Sequence, residues 1–489
     1  MNSLNIKQED KELFLIFNLL GLFYIIPLLL SNTFYWDDYK RSLSGDYGWE
    51  GDGRPLADLF VFLLTENIIN LDIAPLPLLL SLPVLGIAAV IISKKLFTNE
   101  TLLKKTILST PILVNPLFLG NISFRFECWI MSLTQLFAVA AALLYRNNGI
   151  KGYIYRMVIL VVLLSTYQAS LNFYYALCFM VFIFSVMNNN SFKDALVSLL
   201  ADASLMIVSF VLYKITVIPF VHFQNYASSH NSILKVDGDI FKKILSNTFT
   251  LFKLQWKLPT PYTISMAFLA IISIFSPIIK NTGFSKPNKG TILLAIIALI
   301  FLTPGLCLLL DNPVAADRIF LGFPALLMFL FYMGMSSSWK ILGISMISLN
   351  LFTAVSTCYA YGNVLRQEAD YRDVVSTAII NKLLENGYQS GDKVIVLGEE
   401  RAAPANVPAL ASNRIFRTLI PRMLGDHDVW GYYVLAKQGL PLNFPSDAEI
   451  DAAKAKMDVL SPIYNDFRFY MYKTGAEFIV YVMREPRVS

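Results

Sequence analysis

Leu13-Phe-Leu-Ile-Phe-Asn-Leu-Leu-Gly-Leu-Phe-Tyr-Ile-Ile-Pro-Leu-Leu-Leu30 is an apolar run broken only by Asn18. At ~1.5 Å per residue a helix of this length nearly crosses the ~30 Å hydrocarbon core of a bilayer. Lipid offers no hydrogen-bond partners, so the run can satisfy its backbone only as helix. No small-residue cleavage site follows, and the run therefore reads as a span rather than a removed signal. A polar stretch comes directly after it: Tyr35-Trp-Asp-Asp-Tyr-Lys-Arg41, then Gly45-Asp-Tyr-Gly-Trp-Glu-Gly-Asp-Gly-Arg-Pro55.

Blocks of the same kind recur through most of the chain. Charged residues are 15% of the 489 residues and apolar ones 55%, where a soluble chain carries about 25% charged residues. Eleven spans are expected, near 13–31, 73–92, 106–120, 127–145, 156–170, 172–187, 196–219, 262–279, 291–310, 319–336 and 341–360. The pair 156–170 and 172–187 reads either as one long helix or as a helix broken near Gln168 and Asn172. The fold class is thus a polytopic α-helical membrane protein.

Loop charges give the orientation. Lys7 and Lys11, Lys94 and Lys95, Lys104 and Lys105, Arg146, Lys151 and Arg156, Lys193, Lys280, Lys286 and Lys289, and Lys340 all fall on one side. The positive-inside rule makes that side the cytoplasm. The loop 32–72 and the loop 220–261 are then outside, and an odd number of spans puts the C-terminal segment outside as well. Topology accounts for the net charge of +5, and no basic helix with interleaved aromatics argues for nucleic acid.

The chain divides into a bundle over 1–362, including the loop 32–72, and a charged tail over 363–489. In the tail, Lys393-Val-Ile-Val-Leu-Gly398 reads as a buried strand and Glu477–Met483 as a second. Arg366–Leu384 has amphipathic helical spacing, and Ser446-Asp-Ala-Glu449 resembles a capping box. A small α/β domain is expected. Cys128, Cys178, Cys307 and Cys358 lie in or beside apolar blocks and read as small buried hydrophobes. His222, His230 and His427 have no metal-ligand spacing, and Asp237-Gly-Asp239 reads as a turn. Walker A, GxGxxG and GxSxG patterns are missing, which disfavours a nucleotide-driven pump and a Ser hydrolase.

The first loop is the candidate working surface. A merely solvated acidic loop would carry similar charges, and Asp46, Glu66 and Asp72 read that way. Asp37 and Asp38 differ, because they follow the span directly and lie among Tyr35, Trp36 and Tyr39, rings suited to stacking on a sugar. Adjacent carboxylates can split roles, since like charges push their pKa values apart. Asp52-Gly-Arg54-Pro55 is a tight turn leading into Leu56–Leu71, whose spacing suits an interfacial helix. Arg54 there can grip a phosphate through two N–H groups, or be an ordinary loop arginine. Further polar groups gather at outer span ends: Arg125 and Glu127, Tyr167, Gln168 and Asn172, Tyr213 and Lys214, and Asp317 and Arg318. Ionisable groups at such positions are expensive and default to functional roles, although Arg125–Glu127 and Asp317–Arg318 also read as structural pairs.

Trp36-Asp-Asp-Tyr39, Gly51-Asp-Gly-Arg-Pro-Leu56, Phe124-Arg-Phe-Glu127, Tyr167-Gln-Ala-Ser170 and Asp317-Arg318, in that order, resemble the serotype-converting O-antigen glucosyltransferases of bacteriophages and their bacterial hosts. The resemblance implies a GT-C-like bundle of about eleven helices in the bacterial inner membrane, with the active site and the C-terminal domain on the periplasmic face. It implies undecaprenyl-phosphate-glucose as donor, a sugar of the lipopolysaccharide O-antigen repeat as acceptor, and a partner flippase and synthase for the lipid-linked glucose. By the same resemblance Asp37 or Asp38 is the catalytic base. Arg54, Arg125 and Arg318 are then the donor phosphate ligands. Trp36, Tyr39, Glu127, Tyr167, Gln168 and Asp317 are expected to contact the sugar or lipid head. Arginines can neutralise a leaving phosphate, so no obligatory metal or other cofactor is expected. The competing readings are a GT-C transferase for another sugar or acceptor, and a transporter of lipid-linked glycans. A transporter would show charges within its spans and internal repeats; here the polar groups gather at one face.

Overall fold

The computed structural model describes residues 7–146, 148–188, 191–223, 232–235, 237–276, 289–426 and 429–483. His230, His427, Lys280 and Lys286 lie outside them. The chain is mostly helical, with one small sheet near its C-terminal end. Among the described residues, six helices are long and apolar enough to cross a membrane: Gln8–Ser31, Leu76–Leu96, Leu102–Ser123, Gln168–Met187, Phe192–Phe220 and Lys340–Glu385. Ile240–Gln255 and Thr260–Phe275, bent by 115° at their junction, make a seventh if counted as one span.

Several expected spans are therefore helices too short to span by themselves. Cys128–Leu143 has 16 residues, and Lys289–Leu302 and Phe323–Ser336 have 14 each. At ~1.5 Å per residue these reach only about 21–24 Å. Proline limits the regularity of the third span. After Leu102–Ser109 the backbone tightens into 3₁₀ turns at Thr110–Ile112 and Pro116–Phe118, because Pro111 and Pro116 supply no N–H, and helix resumes at Leu119–Ser123. The ambiguous pair resolves as two helices, Gly149–Leu164 and Leu171–Met187, with a 3₁₀ turn at Gln168–Ser170 between them. All four cysteines are buried, and none is in a disulfide.

Two compact units emerge. The first holds Met1–Leu29, Tyr47–Ile68 and Ile73–Tyr359. In it Leu76–Leu96 packs along Cys128–Leu143, which also packs on Gly149–Leu164 and Leu171–Met187. Asp10 and Glu9 at the start of the first helix pair with Lys94 and Lys105, each at 2.6 Å.

The second unit holds Ala360–Ser489 together with Leu30–Asp46 and Ile69–Asp72. Its sheet has the order β1-β4-β3-β2, where β1 is Lys393–Gly398, β2 Tyr464–Asn465, β3 Phe469–Thr474 and β4 Glu477–Val482. β1 runs parallel to β4, and the other neighbours are antiparallel. Val394 and Val396 face one core and Ile395 and Leu397 the other, the latter covered by Ile450 and Ala453 of helix Asp447–Met457. Burial on both faces is why β1 reads as a continuous apolar run. The helix Arg366–Leu384 is the end of the 46-residue Lys340–Glu385.

Tyr39, from the first loop, lies in the larger of these cores with Val375, Ile379 and Leu383. Beside it Arg372, 2% exposed, donates Nε to both Glu400 oxygens at 2.9 and 3.1 Å and Nη2 to the Pro421 carbonyl at 2.7 Å. Glu400 also receives the N–H groups of Met423 and Leu424. Removing one partner of such a pair leaves a buried charge uncompensated, at a cost of about 3–5 kcal/mol. Glu400→Ala is expected to make the 393–483 segment of the detergent-solubilised protein protease-sensitive. Unchanged resistance would show that the pair contributes nothing.

Candidate active site

The Asp52-Gly-Arg54-Pro55 turn forms for local reasons. Glu50–Asp52 is a 3₁₀ turn, and Gly53 follows with φ +77°, a conformation that costs other residues energy. Pro55 then opens helix Pro55–Thr65, with its missing N–H at a position that needs none. Asp58, one turn into that helix, reaches back to accept the N–H groups of Trp49 at 2.9 Å and Glu50 at 2.7 Å. The Gly53 carbonyl accepts the Tyr213 hydroxyl at 2.7 Å and Gln168 Nε2 at 3.1 Å. A Cβ on Gly53 would stand 2.8 Å from the Tyr213 hydroxyl, so any other residue here would also have to displace that side chain.

That frame aims Arg54. Its Nη2 donates to Asp52 Oδ2 at 2.6 Å, and its Nη1 to Glu127 Oε2 at 3.3 Å. The guanidinium carbon sits 5.4 Å from the centre of the Tyr167 ring. Burial opposes the Arg54 charge, but Glu127 and Asp52 more than compensate and raise its pKa further.

Arg318 lies 5.7 Å over the Phe124 ring. Its carbonyl receives the Tyr167 hydroxyl at 3.5 Å and Asn121 Nδ2 at 3.4 Å. Asp317 is buried and accepts the Gly120 N–H at 3.2 Å. Burial pushes its carboxyl up to about 6, against the pull of Arg318. Arg125 is half-buried in the Phe124–Glu127 turn that opens helix Cys128–Leu143. Behind the cluster, Ser170 Oγ meets Thr134 Oγ1 at 2.7 Å and Gln135 Nε2 at 2.9 Å.

Four of the five motifs quoted from the sequence thus converge within the first unit. Arg54, Glu127, Tyr167 and Gln168 meet through side chains or the Gly53 carbonyl, and Asp317 and Arg318 join through Gly120, Asn121 and Tyr167. Asn121 also belongs to the cluster, fully buried and with its Oδ1 unpartnered among the described residues. Its signal was a lone amide in the apolar stretch Leu117–Ile122. Tyr213 reads in the sequence only as a polar group at an outer span end, and Asp52 only as the first residue of the tight turn.

The fifth motif belongs to the second unit. Trp36 adopts φ +46°, and helix Asp38–Ser44 begins just after it. Asp38 is 1% exposed, and its carboxylate accepts the Tyr35 N–H at 2.8 Å. Tyr35 Oη donates to the Leu419 carbonyl at 2.8 Å. Asp37 is half-buried at the N-cap, where its side chain makes no capping hydrogen bond. Tyr39 is buried, with Lys437 over its ring at 5.8 Å. Among the described residues, no group of three or more His, Cys, Asp or Glu is placed to hold a metal ion.

A family model described as Glucosyl transferase GtrII matches residues 26–335. The chain is also similar to an uncharacterized 55.3 kDa protein in the gtrB 5' region of Salmonella phage P22. The two are 26% identical over 462 residues, which cover 89% of this chain and 92% of the relative. No solved structure matches. The family match spans more than half of the chain and takes in every quoted motif from Trp36 to Arg318, and the chain belongs to the GtrII glucosyl transferase family.

Proposed function

We propose that this glycosyltransferase moves glucose from undecaprenyl-phosphate-glucose to a sugar of the lipopolysaccharide O-antigen repeat, on the periplasmic face of the bacterial inner membrane, and so converts the serotype. The observation that carries the reading is the convergence of Arg54, Glu127, Tyr167 and Arg318 from four distant segments. A half-buried arginine on an aromatic face, oriented by two carboxylates, is a preorganised partner for charge that develops on a leaving phosphate. We read the bundle as GT-C-like with eleven crossings, the short helices completed by their flanking turns. The N-terminus is then cytoplasmic and the second unit periplasmic.

In the proposed reaction an acceptor hydroxyl oxygen forms a bond to the anomeric carbon. The bond from that carbon to the phosphate oxygen breaks, and undecaprenyl phosphate leaves with the electron pair. The hydroxyl proton passes to a carboxylate of the Asp37–Asp38 pair. Direct displacement inverts the anomeric centre. Arg54 and Arg318, with Arg125, stabilise the phosphate, while Trp36, Tyr39, Glu127, Tyr167, Gln168 and Asp317 contact the sugar or lipid head. No obligatory metal enters the scheme. A flippase and a synthase for the lipid-linked glucose are the expected functional partners.

Purified protein supplied with polyprenyl-phosphate-glucose and O-antigen acceptor is expected to form the glycoside with inverted anomeric configuration. Movement of the lipid across a vesicle membrane without glycoside would favour the transporter reading. Transfer of another sugar in preference to glucose would move the protein to a different donor.

A further inference from the structure

Three helices that carry the Arg54 cluster also lead away from it. Cys128–Leu143 starts beside Glu127, Leu171–Met187 starts just after Gln168, and Phe192–Thr216 carries Tyr213 near its far end. Toward their opposite ends lies a second polar site, whose Asp202 precedes Tyr213 by eleven residues, about 17 Å, on the same helix. Asp202, 2% exposed, lies between two arginines, with Oδ2 taking Arg146 Nη2 at 2.6 Å and Oδ1 taking Arg156 Nη2 at 2.5 Å. Arg156 Nε is bound by the Ala141 carbonyl at 2.6 Å. Arg146 also donates to Ser198 Oγ at 2.9 Å and to the Ala142 carbonyl at 2.7 Å; two cations against one anion leave the group one positive charge in surplus, and Arg146 lines a cavity of about 280 Å³.

The cavity wall has a definite chemistry. Ser191 and Ser198 supply hydroxyls, Phe182 and Leu199 supply apolar surface, and Asp194 supplies a carboxylate. Ser191 is also the N-cap of the 25-residue helix Phe192–Thr216, whose N-terminal end favours an anion. The guanidinium, the two hydroxyls and this helix end favour a phosphate. With Asp194 in the lining, the charges of Arg146, Arg156, Asp202 and Asp194 sum to zero, so a ligand that is itself neutral overall fits better than a net anion. We infer that this cavity binds a phosphate ester bearing a primary ammonium group, the headgroup of phosphatidylethanolamine. The phosphate meets Arg146 and Ser198, the ammonium meets Asp194, and the acyl chains follow Phe182 and Leu199 outward. Basic pockets between membrane helices bind headgroups in this way. On the topology proposed above, the lipid comes from the cytoplasmic leaflet. The headgroup assignment itself rests on neither topology nor transfer activity.

The test uses the full-length protein in detergent. Binding of short-chain phosphatidylethanolamine, phosphatidylcholine and inorganic phosphate is followed by native mass spectrometry. Phosphatidylethanolamine is expected to bind about tenfold more tightly than phosphatidylcholine, whose quaternary amine cannot donate a hydrogen bond to Asp194. Asp194→Asn should abolish that preference, and Ser198→Ala should weaken both lipids. Inorganic phosphate should not compete at matched concentration. Equal binding of the two lipids, a preference that survives Asp194→Asn, or displacement by inorganic phosphate would each overturn the assignment. Because the assay reads no glycoside, its failure is distinct from failure of the transferase reading.

Discussion

Asp37→Asn is expected to insert and fold normally yet lose transfer by about 10²–10⁴-fold, the worth of a positioned general base. The two neighbouring acids are held differently. Asp38 is enclosed and already accepts the Tyr35 N–H, whereas Asp37 is half-buried and makes no capping bond. In Asp38→Asn the amide oxygen still accepts that N–H, so the turn persists and the loss is expected to stay below about tenfold. Radiolabelled glucose transfer from polyprenyl-phosphate-glucose, normalised to membrane-inserted protein, measures both. The opposite ranking would assign the base to Asp38. Full activity in both variants would remove the base from this pair.

Arg54→Ala is expected to lower transfer by about 10²–10³-fold, the usual effect of deleting one preorganised charge stabiliser. The substitution also leaves Glu127, 3% exposed, without its ion-pair partner at Arg54. A stability loss on that account is expected in the single variant and complicates it. The double variant Arg54→Ala/Glu127→Gln separates the effects, because it removes the buried charge along with its partner. It should regain thermal stability in detergent and remain inactive. Arg54→Lys should fall between, since a point charge replaces a planar fork. Recovery of transfer in the double variant would reduce Arg54 to a structural residue.

Much of this was legible because the signals are local. The run of β1 ends at Gly398 as expected, with φ +91° there. Glu449 takes the Ser446 N–H at 2.7 Å, as a capping box requires. The Gly53 turn and Pro55 also follow from residue type alone. What the sequence hid depends on distant partners. Nothing near Tyr39 announces that its ring packs on Val375 and Ile379, so the first loop read as one outer segment. Strands β2 and β3 were missed because a two-residue strand has no periodicity and Phe469–Thr474 alternates only weakly. Span lengths were overestimated where hydropathy continues past a helix end, as after Leu143 and after Leu302. Hydropathy reports apolar residues, whether or not their backbone remains helical.

The Tyr35–Leu419 hydrogen bond joins residues 384 apart in the chain. At a synthesis rate of ~5–20 residues per second, the ribosome needs roughly 20–80 s to get from one to the other. Through that interval the Asp37–Asp38 segment has left the first span, but the strands that complete its core do not yet exist. The newborn protein is therefore expected to be inert until its last strand, β4, has been made. A ribosome stalled before Glu477 would leave an inserted bundle with a full Arg54 cluster and an unanchored acidic pair, so with the base proposed at that pair synthesis itself sets the moment at which the enzyme becomes competent.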